Sequence, residues 1–86
     1  MEVVKKAYTE PFEKILLGEK KFDIRLNDFE INEGDILVLK EIDEKKNFTG
    51  REIRKKVNYI LKTKNIDWWD DKDIIKKGFL VMSLGD

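Results

Sequence analysis

The pattern of apolar and polar positions predicts a chain that is built mostly of strands. Short stretches either alternate between the two kinds of residue or are continuously apolar, and many carry β-branched side chains. Because the run from Ile36 to Leu39 is apolar at every position, we expect the third strand to be central and covered on both faces. The five predicted strands are Glu2 to Tyr8, Lys21 to Leu26, Ile36 to Ile42, Arg51 to Leu61 and Phe79 to Leu84.

A different period, typical of an amphipathic helix, follows the first strand. Phe12, Ile15 and Leu16 fall at positions i, i+3 and i+4 and define one apolar face. Thr9 stands where a helix N-cap is expected, and Gly18 stands where a glycine of positive φ ends a helix. At about two turns this helix is too short to be stable alone, so we expect it to pack against the sheet.

The remaining segments predict the connections and complete the architecture. Asp43 to Asn47 is a charged cluster typical of an exposed hairpin loop, and Lys62 to Lys77 is irregular, with room for a short helix before the last strand. The order is strand, helix and four strands, without the regular alternation that a parallel sheet needs. We therefore predict an α+β, mainly β fold: a small five- to six-stranded mixed β-barrel with one or two short helices, forming a single domain over residues 1–86.

The second strand carries the most organised group of charges, because side chains alternate between the two faces of a strand. We expect its apolar face to pack on the core and its charged face to line a groove. The alternative is that Asp23 and Arg25 form only a charge pair that bridges neighbouring strands. The two faces are Phe22, Ile24 and Leu26 on the apolar side and Lys21, Asp23 and Arg25 on the charged side.

Composition excludes several kinds of chemistry. The 86-residue chain has no cysteine and no histidine, which excludes disulfides, zinc–thiolate sites and catalysis by either side chain. No carboxylate spacing matches an EF-hand, so we expect neither a metal nor a cofactor. The 18 basic and 18 acidic residues cancel, which argues against strong non-specific binding to nucleic acid. No apolar run approaches the ~18 residues of a membrane span and no leader opens the chain, so we expect a cytoplasmic protein without membrane contact.

The segment Gly18-x-Lys20-x-x-Asp23-x-Arg25 resembles the G-x-K-x-x-E-x-R signature of ASCH domains, a branch of the PUA-like superfamily. Asp23 stands where that family usually has glutamate. The context is similar as well, since a strand and a short helix precede the signature and a Gly-Asp pair opens the next apolar strand. Similarity to small stand-alone members extends over nearly the whole chain. The resemblance implies a PUA-like barrel with a cleft beside the first helix, lined by the signature residues.

The resemblance also implies two kinds of function. ASCH domains are proposed to bind RNA, by analogy with PUA domains. Some small members resemble amidohydrolases that deacetylate N4-acetylcytidine nucleosides, in which the signature lysine is catalytic, a threonine replaces Asp23 and a distant glutamate completes the site. Because Asp23 differs from that threonine, binding is favoured over catalysis, and Lys20 is a catalytic residue only if the protein is a hydrolase. Glu41 and Glu52, which lie on strands, are then the candidate general bases.

Candidate site residues form two groups. Clustered cations neutralise phosphates and aromatic side chains stack on bases, while the structural alternatives are a solvated surface and packing on the core. The ligand-binding candidates at the cleft are Lys20, Lys21, Asp23 and Arg25. The candidates for nucleic-acid contact are Arg51, Arg54, Lys56, Trp68 and Trp69.

Lys55 interrupts an apolar column of the fourth strand formed by Ile53, Val57, Tyr59 and Leu61. A lysine in such a column usually snorkels at a sheet edge or marks a bulge. The alternative is an amine inside a pocket.

Three hypotheses for the function follow. The first is an ASCH module that binds RNA, a nucleotide or a modified nucleoside in the cleft. The second is a small amidohydrolase that acts on N4-acylated cytidine nucleosides. The third is a protein-interaction module in which the signature residues only support the fold.

Overall fold

The structure is a computed structural model that describes residues 1–63 and 78–85. The predicted helix and all five predicted strands are present, whereas the segment predicted to hold a second short helix, together with Trp68 and Trp69, lies outside the described residues. In the part that is described, no helix is long and apolar enough to cross a membrane. The elements are β1 (Glu2–Tyr8), α1 (Thr9–Leu16), β2 (Phe22–Leu26), β3 (Ile36–Ile42), β4 (Phe48–Lys62) and β5 (Phe79–Gly85).

The five strands form one mixed sheet in the order β1-β3-β4-β5-β2, curled into a half-barrel. β1 runs parallel to β3, and every other neighbouring pair is antiparallel. β3 lies between β1 and β4, and its residues Leu37, Val38 and Leu39 are all buried, which confirms the prediction of a central strand covered on both faces. The predicted class, a small α+β and mainly β fold, is therefore confirmed.

Helix α1 closes the concave side of the sheet. Its Phe12 and Ile15 are buried in one cluster with Leu37, Leu80 and Met82. Leu16, predicted on the same apolar face, is instead exposed. Leu16 is the last residue of the helix. Burial of the large apolar side chains of Phe12 and Ile15 is what holds so short a helix in place.

The start of α1 differs from the prediction. The N-cap residue is Tyr8, in extended geometry and without a capping bond from its side chain. Thr9, predicted as the cap, is already the first helical residue, and its hydroxyl donates to the backbone oxygen of Ile42 at 3.4 Å. The strand therefore runs into the helix without a break, and Thr9 links the helix start to the end of β3.

The end of α1 has the predicted glycine stop. Gly18 has a φ of 78°, its N–H donates to the oxygen of Ile15 at 3.1 Å, and the N–H of Glu19 donates to the oxygen of Lys14 at 3.0 Å. These two bonds form a Schellman motif, in which a left-handed residue lets the chain cap the helix and turn away. The N–H of Lys20 reaches the same oxygen of Lys14 at 3.0 Å, which fixes the backbone of the signature lysine directly after the turn.

The orientation of β2 is the reverse of the prediction. Phe22 and Ile24 are 45% and 51% exposed, whereas Asp23 is only 6% exposed. The reason is the register with β5, in which Asp23 is paired with Met82, a fully buried core residue. The charged face of β2 therefore points into the half-barrel, and the apolar face points outward.

A bulge in β4 divides the apolar column that Lys55 interrupts. The register against β5 shifts between Val57 and Tyr59, so that Asn58 is an additional residue. Before the bulge, Ile53 and Lys55 point inward with Val57, whereas after it Tyr59 and Leu61 point outward and are half exposed. The single apolar column predicted for this strand is thus divided between the two faces of the sheet.

Candidate functional site

A cleft of about 220 Å³ opens beside the C-terminal end of α1, where the glycine turn meets the middle of β4 and the end of β5. Three of its side chains are lysines, and none of the described residues that line it is acidic. The cleft is therefore basic, and Lys20 and Lys21 are the two of the four predicted ligand-binding residues that line it. Its lining is formed by Ile15, Gly18, Lys20, Lys21, Lys55, Leu84 and Gly85.

Two of the three lysines lie in the connection between α1 and β2, and the third lies on β4. Lys20 follows the Schellman turn and is half buried, with its Nζ 5.3 Å from the centre of the Phe22 ring. Lys21 is exposed, and its backbone oxygen accepts a bond from the N–H of Leu84 at 2.9 Å. Lys55 points inward from β4, opposite Leu37. Like charges gathered around one concave surface raise the local positive potential, which favours an anionic ligand.

Asp23 and Arg25 do not line this cleft. The Arg25 Nε donates to Asp23 Oδ2 at 2.7 Å, and the Arg25 Nη2 donates to the backbone oxygen of Lys6 at 2.8 Å. Because Lys6 lies on β1 and Arg25 on β2, the two edges of the sheet, this arginine links both edges of the half-barrel. Its side chain lines a shallow groove at that seam together with Lys5 and Phe29. Of the signature residues, Lys20 therefore lines the basic cleft, whereas Asp23 and Arg25 lie where the β1 and β2 edges of the half-barrel are linked.

A second buried carboxylate, Glu41, is the centre of a polar network. It is 3% exposed and accepts two bonds from Arg51, at 2.9 Å and 2.8 Å, and one from the Thr49 hydroxyl at 2.5 Å. Arg51 also donates to Glu13 on α1, and its guanidinium lies 5.0 Å from the Phe12 ring centre. The network joins α1, β3 and β4. The bonds from Arg51 and then from Thr49 lower the pKa of Glu41 from 4.5 to about 2.

These bonds keep Glu41 charged near neutral pH, because a carboxylate of such low pKa takes up almost no proton there. It is therefore poorly suited to be a general base. Glu52, the other candidate, is exposed on β4. The part of the chain that is described contains no cluster of acidic side chains that could hold a metal ion.

The sequence did not reveal this network because its partners meet through an irregular pairing of β3 and β4. Ile42 pairs with Phe48 and Lys40 with Glu52, so β4 contributes more residues than β3 between these pairs. Gly50, with a φ of 91°, lies within the longer side. A signal was present in the Thr-Gly-Arg sequence that opens β4, where glycine in a strand often marks a bulge.

The basic residues predicted to contact nucleic acid differ in whether their charges are paired. Arg51 is bound by Glu41 and Glu13, and Arg54 pairs with Glu2 across the outer side of β3. Lys56 is exposed and is paired in register with Gly85, which lines the cleft. Trp68 and Trp69 lie outside the described residues. Both arginine charges are thus compensated within the fold, and Lys56 lies at the same end of the sheet as the cleft lysines.

Comparison with known proteins supports one assignment. The family model described as "Domain of unknown function (DUF3850)" matches residues 4–84. No curated protein matches the sequence. The matched region runs from β1 to β5 and includes the glycine turn, the cleft lysines and the Glu41 network. The chain therefore belongs to the DUF3850 family, a family defined as a domain of unknown function.

Proposed function

We propose that this protein is a PUA-like module of the ASCH type that binds RNA or a nucleotide in the cleft beside α1, with a phosphate group against Lys20 and Lys21. The observation that carries this proposal is a concave site with three lysines and no acidic side chain among its described lining residues. Over the whole chain the 18 basic and 18 acidic residues cancel. A local cation cluster in a neutral protein favours a ligand that carries negative charge.

The size of the cleft indicates which part of a ligand it takes. Its volume of about 220 Å³ is below the ~300–1,000 Å³ of pockets that enclose a whole small ligand. A phosphate with part of its sugar or base fits better than a complete large cofactor. Ammonium groups bind phosphate as point charges, without the fixed fork geometry of arginine. We therefore favour an RNA segment, one nucleotide of which is seated in the cleft.

Two features favour binding over deacetylation of N4-acetylcytidine. Asp23 stands where the similar hydrolases have threonine, and its carboxylate is already engaged by Arg25 at 2.7 Å. Glu41, with a pKa of about 2, does not accept a proton near neutral pH. Incubation of the protein at high concentration with N4-acetylcytidine, followed by chromatography, should leave the substrate intact. Turnover that is lost in Lys20→Ala would make the hydrolase the better assignment.

Titration of fluorescently labelled single-stranded RNA tests the proposal. Between about 50 mM and about 200 mM salt, log K should fall linearly with log[salt], and each lysine removed should reduce the slope by about 0.7. Lys20→Ala and Lys21→Ala should therefore bind more weakly and with a shallower slope. Lys45→Ala, in the exposed β3–β4 hairpin, removes the same charge and should leave binding unchanged. Absence of binding at low salt, or equal effects of all three substitutions, would refute the proposal.

A further inference from the structure

The outer face of β4, β5 and β2 carries a compact patch of uncharged side chains, which we call the outer patch. Strand register places its residues in two adjacent rows, with β5 in the middle of each row. Four of the six members are large apolar residues that are at least 45% exposed. In a chain with 42% charged residues, such a patch is a candidate interaction surface. The first row is Tyr59, Ser83 and Phe22, and the second row is Leu61, Val81 and Ile24.

We propose that Phe22 and Tyr59 form a stacking platform for the bases of a single-stranded nucleic acid whose phosphate occupies the cleft. This inference rests on the proposed function, and it extends the nucleic-acid site from the cleft to the outer patch. Phe22 and Tyr59 are 45% and 59% exposed and flank the short side chain of Ser83. With neighbouring strands about 4.8 Å apart, their Cα atoms lie about 10 Å from each other, which leaves room for bases against both rings.

Lys20 connects the platform on the outer face of the sheet with the basic cleft. Lys20 lines the cleft, and its Nζ lies 5.3 Å from the Phe22 ring centre. Lys56 lies on the outer side of β4, next to Gly85 of the cleft lining and one bulge away from Tyr59. A strand of nucleic acid that places a phosphate near Lys20 therefore meets Phe22 next, with a second cation beside Tyr59. Cations bordering exposed rings are the combination by which proteins bind single strands without reading sequence.

This arrangement favours nucleic acid over a second protein surface. The aromatic residues occupy the row next to the cleft, whereas the aliphatic Leu61 and Ile24 lie in the row farther away. A patch only two rows deep and three strands wide is also much smaller than the ~800 Å² per partner of a standard protein interface, given strand spacings of about 4.8 Å. Association of two copies through the patch is an outcome that the experiment below distinguishes.

The experiment compares Phe22→Ala, Tyr59→Ala and the double variant with Phe48→Ala. Phe48 is a matched control because it is 59% exposed and lies 5.5 Å from Lys6 Nζ, yet belongs to the β3–β4 hairpin. Each platform variant should bind labelled oligoadenylate about 5- to 150-fold more weakly, whereas Phe48→Ala should bind like the native chain. Phe22→Tyr and Tyr59→Phe should retain binding, and thermal unfolding of every variant checks that it is folded.

An abasic oligonucleotide of equal phosphate number separates this inference from the proposed function. The native chain should prefer oligoadenylate over the abasic probe, and the double variant should not discriminate between them. Equal binding of both probes by the native chain, lost in Lys20→Ala, would overturn the platform and leave the cleft intact. Failure of both probes to bind would overturn both proposals. A dimer in sedimentation that Phe22→Ala dissociates, without any effect on oligonucleotide binding, would assign the patch to a second copy and overturn the platform.

Discussion

The Asp23 carboxylate shows how an ion pair compensates a charge on the buried face of a strand. The alternation of charged and apolar residues along β2 predicted two faces. Because apolar side chains are usually buried, the sequence predicted that the apolar face points into the core. The structure has the opposite orientation, which follows from the register with β5, and Arg25 donates to Asp23 at 2.7 Å and compensates its buried charge. Phe22 and Ile24 are thereby left on the surface. The sequence shows that the two charges can pair, but not that the pair is buried.

Asp23→Asn tests this pair. The substitution leaves the half-buried Arg25 guanidinium without its charged acceptor, so the free energy of unfolding should fall by about 1–3 kcal/mol. Asp28→Asn, on an exposed residue just after β2, should change it little. Urea denaturation measures the free energy of unfolding of both variants. In a double-mutant cycle, the effects of Asp23→Asn and Arg25→Leu on that free energy should not be additive, and additivity would contradict the pairing.

Lys20 and Lys21 illustrate what could be predicted of the site. The glycine stop and the signature spacing located both lysines beside the helix, and the structure places them in the lining of one cleft. Lys55, on β4 before the bulge, lines the same cleft. From the sequence, an amine inside a pocket was only one of two alternatives for this lysine. The sequence lacked the register that decides between them.

At the scale of elements, the turn after α1 positions the cleft. Phe12 and Ile15 anchor the helix on the sheet, and Gly18 reverses the chain so that Lys20 follows within two residues. This part was predicted correctly because a C′ glycine acts through local geometry alone. The β4 bulge was not located, since a register shift depends on the neighbouring strand and not on β4 itself.

Gly18→Ala and Gly18→Asn test the turn. Gly18 has a φ of 78°, and a Cβ added at this residue would meet no atom within 4 Å, so the cost of a side chain is conformational and not steric. Alanine should destabilise the fold by about 1–2 kcal/mol, whereas asparagine, which adopts positive φ more readily, should cost less. Thermal unfolding compares them. Equal costs for the two substitutions would contradict a left-handed stop.

For the whole molecule, two polar linkages hold the half-barrel together. Arg25 connects the β1 and β2 edges through the Lys6 oxygen, and the Glu41–Arg51 pair connects β3, β4 and α1. The class, the strand order along the chain and the central strand followed from the pattern of apolar residues. The two linkages could not be predicted from this pattern, because each joins residues that only the three-dimensional pairing of strands brings together.

The Glu41 network predicts a pH dependence of stability. The pKa of Glu41 in the folded state is about 2, below its ordinary value of 4.5. A lowered folded-state pKa means that the stabilisation is fully present above pH 4.5 and is lost as the pH falls towards 2. Glu41→Gln should therefore be less stable at neutral pH and lose less stability over this acidic range. Denaturation at several pH values measures the free energy of unfolding of each variant as a function of pH. Glu52→Gln, which changes an exposed carboxylate, is the control and should show the same pH dependence as the native chain. Parallel curves for Glu41→Gln and the native chain would contradict the assignment.

The central claim is that the cleft beside α1 binds the phosphate of a nucleic acid, and amide chemical-shift mapping tests it most directly. A ¹⁵N-labelled sample is titrated with a short single-stranded RNA at low salt. The amides of Gly18, Lys20, Lys21 and Gly85, which line the cleft, should shift in a saturable way, while those of the β3–β4 hairpin should not. Shifts confined to the hairpin, or no shifts at any RNA concentration, would contradict the claim.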